Sequence, residues 1–114
     1  MEKKIKRSVA TLLAHIIKID KRDVEKEASL FCSIMGQNFG CDREEAINFL
    51  KTSMSEEYDL DEHIDIICDA LENDQISKMH LLEQLNRIIY SDTISKEDYE
   101  IFEKVKKRLF PNID

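Results

Sequence analysis

The stretch HIIKIDKRDVEKEASLF, His15 to Phe31, closes one apolar helical stripe at an aspartate, crowds charge into a turn and opens a second stripe. Upstream of the turn, Val9, Leu12, Leu13, Ile16 and Ile17 fall at i, i+3, i+4, i+7 and i+8, one face of an α-helix. Downstream, from about Asp23, Ala28, Phe31, Cys32 and Met35 line a second helix, with Gly40 as its C-cap. Far along the chain RIIYSDTISKEDYEIF, Arg87 to Phe102, repeats the design. A shift of 72 pairs Leu13 with Leu85, Ile16 with Ile88, Ile17 with Ile89 and Asp20 with Asp92. A shift of 71 pairs Glu27 with Asp98, Leu30 with Ile101, Phe31 with Phe102 and Ile34 with Val105. The offset changes inside the loop, where a deletion disturbs least. The chain therefore reads as two copies of a helical hairpin with further helices between them.

Those intervening helices carry their own signals. Asp42 with Glu45 forms a capping-box pattern before a weak stripe of Ala46, Phe49, Leu50 and Met54. Leu60, Ile64, Ile67, Cys68 and Leu71 make a cleaner face. Leu81, Leu82, Leu85, Ile88 and Ile89 face inward on the first helix of the second hairpin. Ser95 with Asp98 is a second capping box, and Pro111 stops the last helix. Two Gly and one Pro supply too few turns for a sheet protein of 114 residues. The expected fold is all-α, a compact bundle of six to seven helices with two pseudo-symmetric hairpins. It divides into a basic N-terminal extension over 1–7, a helical domain over 8–110 and a tail over 111–114.

Charge narrows the partners. Net charge is −7, but residues 1–26 hold eight Lys/Arg against four Asp/Glu, and residues 42–74 hold two against twelve. An acidic protein without a basic face is a poor match for nucleic acid. No run approaches the ~20 apolar residues of a membrane span. Three cysteines without paired spacing (Cys32, Cys41, Cys68) point to a reducing, cytoplasmic setting. The basic head, Lys3, Lys4, Lys6 and Arg7, suits either the chain's own acidic middle or an anionic membrane surface.

Two acidic features are candidate sites. An aspartate at a helix C-terminus opposes the macrodipole, so Asp20 and Asp92 need a reason to be there. One is capping of the next helix's free N–H groups. The other is a cation site: Asp20 and Glu27 in one hairpin and Asp92 with Glu97 or Asp98 in the other supply oxygen ligands suited to Ca²⁺ or Mg²⁺. The second feature is DLDEHIDIICDALEND, where Asp61, Glu62, Asp65, Asp69 and Glu72 make a dense acidic face for a basic protein surface. It is not an EF-hand, since Ile64 and Ala70 stand where Gly and Glu belong. His15, His63 and His80 lack zinc spacing, and no nucleophile or phosphate-loop motif is present, so no enzyme is expected.

LLAHIIKIDKRDVEKEASLF and LLEQLNRIIYSDTISKEDYEIFEKV together resemble the TerB-like family, which includes the tellurite-resistance protein TerB and the N-terminal domain of the membrane-anchored J-protein DjlA. The shared pattern is an apolar helix ending in A-D-G, then an acidic helix start with a glutamate seven residues after the aspartate, seen twice. Asp20 and Glu27 match it, Asp92 matches the second aspartate, and Asp98 stands one residue short of the second glutamate. Lys21 and Thr93 replace the glycines. The resemblance implies an all-helical, non-enzymatic module of tellurite or metal stress response, with a divalent cation held by those acidic residues and a membrane-associated stress-response complex among its partners.

Overall fold

The structure is a computed structural model, and it describes residues 3–111. A 3₁₀ turn over Lys3–Ile5 leads into six α-helices: α1 (Lys6–Ile19), α2 (Val24–Phe39), α3 (Arg43–Ser55), α4 (Leu60–Ala70), α5 (Gln75–Ile89) and α6 (Lys96–Leu109). No strand occurs among the described residues. Local chemistry starts each helix after the first. Asp23, Asp42, Asp59, Asp74 and Ser95 sit at the N-caps of α2 to α6, and each side chain accepts a hydrogen bond from a backbone N–H of the first turn.

The hairpins α1–α2 and α5–α6 form as the repeat predicts, with α3 and α4 between them. α1 is the axis of the bundle, packed against α2, α3, α4 and α5. Its periodicity predicts one apolar face, but Ser8 to Ala14 are all buried along with Ile16 and Ile17. Small Ser8, Ala10, Thr11 and Ala14 on its other sides let neighbours approach closely all round. Phe31, Ile34, Ile64, Ile67, Leu71, Leu85, Val105 and Leu109 close the core around it.

Two sequence expectations change. The 1–7 stretch is continuous with the bundle from Lys3 on, because Ile5 is fully buried and α1 already begins at Lys6; residues 1–2 and 112–114 lie outside the described ones. The Asp42–Glu45 box is half made: Asp42 caps Glu45 N–H, but the Glu45 carboxylate turns to Lys6 Nζ at 2.8 Å. The Ser95–Asp98 box is complete. Among the described residues no helix is long and apolar enough to cross a membrane.

Candidate functional site

The two hairpin corners meet, and their chemistry begins with how α1 ends. Asp20 is the C-cap, Lys21 N–H bonds the Lys18 carbonyl and Arg22 N–H bonds the Ile17 carbonyl. This is a Schellman motif, and it puts its middle residue in the left-handed region, where glycine is usual. Lys21 takes that conformation at φ 51°, the residue that replaces the expected glycine. The reversal aims Arg22 back across the bundle. α5 ends differently: its last helical residue is Ile89, so Asp92 lies beyond the helix end while Asp20 adjoins it. No left-handed residue marks the second corner.

Arg22 is the centre of the site. Its side chain is 2% exposed. Nε and Nη2 each lie 3.1 Å from Asp20 Oδ2, and Nη2 also donates to Asp98 Oδ2 at 3.1 Å. Nη1 stands 4.0 Å from Glu27 Oε1. The same guanidinium donates to the carbonyls of Ile88, Ile89 and Thr93 and to Ser91 Oγ. It thereby satisfies the open carbonyls at the end of α5, work that a planar five-donor group can do and an ammonium cannot.

Two serines complete the mesh. Ser95 Oγ, the N-cap of α6, donates to Asp20 Oδ1 at 2.7 Å, which ties the first corner to the second. Ser91 Oγ donates to Glu27 Oε2 at 2.7 Å. Asp98 Oδ2 also accepts the Ser95 N–H. Burial, then a hydrogen bond with Asp20, raises the Asp98 pKa above the usual carboxyl value. Burial pushes Asp20 the same way, but the bonds from Asp98 and Ser95 and the charge of Arg22 outweigh it, so Asp20 ends lowered. The opposite directions follow from two carboxyl groups that interact at close range beside one guanidinium. Asp98 Oδ1 is buried and has no hydrogen-bond partner among the described residues. Glu27 Oε1 is the other buried oxygen without a hydrogen bond.

Of the residues expected to ligate a cation, Asp20, Glu27 and Asp98 converge. Asp92 does not: its Oδ1 accepts the N–H of the adjacent Thr93. Glu97 is exposed on the outer side of α6. The capping alternative is also corrected, since α2 is capped by Asp23 and α6 by Ser95, which lie closer to those helices along the chain than Asp20 and Asp92. Among the described residues no group of three His, Cys, Asp or Glu is arranged to hold a metal ion. The converging oxygens do not fit a divalent ion beside the guanidinium they already share. The guanidinium already fills the space between them.

The acidic face of α4 also resolves into parts. Asp61 pairs with Lys104 and lies 3.9 Å from Arg108, while Asp65 pairs with Arg108. The i, i+4 repulsion along this face is therefore offset by α6 rather than by an outside partner. Glu62, Asp69 and Glu72 are exposed and make no ion pair among the described residues. Glu62, Ile66 and Asp69, at i, i+4 and i+7, share one face of the helix, and Ile66 is 40% exposed at its middle. Two of the histidines hold polar joints. His15 Nδ1 lies 2.6 Å from Tyr58 Oη and His63 Nδ1 lies 2.9 Å from Ser8 Oγ. Burial lowers the pKa of both.

Sequence reasoning missed Arg22, Ser91 and Ser95 as members of the corner site. A cation two residues past a helix-ending aspartate was the available signal, and in a loop of alternating charges it reads as a solvated turn. No curated protein and no solved structure matches the chain. The family model described as tellurite resistance protein TerB matches residues 6–106, and the chain belongs to that family.

Proposed function

We propose that the chain is a non-enzymatic binding module of the tellurite or metal stress response, and that a basic protein partner docks on the outer face of α4. The observation that carries this reading is the Glu62–Ile66–Asp69 stripe, extended by Glu72. These acids are exposed and free of ion pairs among the described residues, while their neighbours Asp61 and Asp65 are taken up by α6. A half-exposed apolar side chain ringed by uncompensated charge suits a partner that brings Lys or Arg around an apolar anchor. Family membership supports the setting in stress response.

The test is affinity capture from the native host with wild type and with Glu62→Lys, Asp69→Lys and Glu72→Lys combined. Loss of a captured basic protein from the variant supports the reading. An identical set of captured proteins refutes it. Each changed side chain is exposed, so the variant retains the fold.

A second reading gives the corner carboxylates a Ca²⁺ or Mg²⁺ ion. Glu27 Oε1 and Asp98 Oδ1, which accept no hydrogen bond, favour it, and the guanidinium between their side chains opposes it. Titration calorimetry of the wild type with each ion decides between them.

A further inference from the structure

We propose that Arg22 is the resident cation of the hairpin corners: its guanidinium does for this chain what a divalent ion is expected to do for the family's acidic motif, so that joining the two hairpins needs no metal. The inference is independent of the α4 reading, since it rests on a different set of residues.

Three observations carry it. First, Asp20, Glu27 and Asp98 come from α1's end, α2 and α6, and among the described residues the one side chain that reaches all three is Arg22. Second, the guanidinium is buried and reaches Ile88, Ile89 and Thr93 carbonyl oxygens as well as the carboxylates. Carbonyl and carboxylate oxygens together are the ligand set of a hard cation, and here a guanidinium sits among them. Third, Lys21 holds the left-handed conformation that turns Arg22 inward, although a lysine pays a conformational penalty there that glycine avoids. Asp98 Oδ1 accepts no hydrogen bond and Glu27 Oε1 has only the guanidinium, 4.0 Å away, so both are ligand positions for an ion once the guanidinium is gone.

The proposal predicts a silent wild type and a variant that gains a metal response. Thermal unfolding of the whole chain is followed by circular dichroism in chelator and then with millimolar Ca²⁺, Mg²⁺ or Mn²⁺, at ionic strength matched with NaCl. The wild-type midpoint should be the same in every condition. Arg22→Gln removes the positive charge and should be stabilised by at least one of these ions. The midpoint should rise by roughly 10 °C when the ion is at about a hundred times its dissociation constant. Adding Asp20→Asn to Arg22→Gln should abolish that rise. If Arg22→Gln is unfolded in chelator, recovery of helical signal on adding the ion is the supporting result. A wild-type midpoint raised by an ion and returned to baseline by Asp20→Asn overturns the proposal. So does an Arg22→Gln variant, folded or unfolded, on which none of the ions acts.

Discussion

Replacing Arg22 by methionine keeps much of the side-chain length and removes every donor. Asp20, Glu27 and Asp98 then face one another without their shared counter-ion, and the Ile89 and Thr93 carbonyls lose the donor that satisfied them, while Ile88 keeps Ser91. Breaking a buried ion pair by deleting one partner costs about 3–5 kcal/mol, because the stranded charge has lost both water and its mate. Buried carbonyls left unpaired add about 1–3 kcal/mol each where water cannot enter. These contributions overlap, and the corner can open slightly to admit water, so a loss of about 3–5 kcal/mol is expected. A domain of this size has roughly 5–15 kcal/mol in total, so Arg22→Met should be folded but fragile. Urea unfolding at neutral pH measures the loss as a lowered midpoint with an unchanged slope. A loss below about 1 kcal/mol would refute the reasoning, since it would mean the guanidinium and its carboxylates are solvated.

Further measurements separate the parts of the site. Asn at position 98 keeps an oxygen where Oδ2 accepts from Arg22 and Ser95 and cannot ionise. The raised Asp98 pKa is a contribution fully present below the unfolded value of about 3.9 and lost as pH climbs through the folded value. Asp98→Asn should therefore match wild type in acid and gain on it as pH rises from about 4; parallel stability curves would contradict this. Asp20, with its lowered pKa, contributes above the unfolded value and loses that contribution as pH falls through the folded one, so the deficit of Asp20→Asn should shrink towards acid pH. Lys21→Gly should stabilise by about 0.5–1 kcal/mol, because its φ of 51° suits glycine. Gly40→Ala, at φ 68° with open space around the new Cβ, should destabilise by ~1 kcal/mol. Thermal melts of the two variants would show shifts of opposite sign. Asp61 and Asp65 side chains are 55% and 56% exposed, so Asp61→Ala or Asp65→Ala should barely shift the thermal midpoint, and salt should erase any difference.

The helices and their pairing into hairpins are legible in the residues because the forces that set them are local. Apolar spacing at Val9 to Ile17 and at Leu81 to Ile89, and caps such as Ser95 with Asp98, act within one or two turns of chain. The convergence of Asp20, Glu27 and Asp98 follows from that repeat. The fate of the charges does not. Arg22 meets Ile88 and Asp98 across 66 and 76 residues of sequence. Asp61 meets Lys104 across the α4–α6 contact, which no periodicity announces. Asp92 drops out of the corner because α5 unwinds at Ile89, a matter of how its last carbonyls find Arg22 rather than of any helix signal nearby. Short-range propensity writes the helices into the chain. Which carboxylate receives which cation is settled only when packing removes water from both, and a −7 chain with 24 acidic residues offers many pairings that look equivalent before it does.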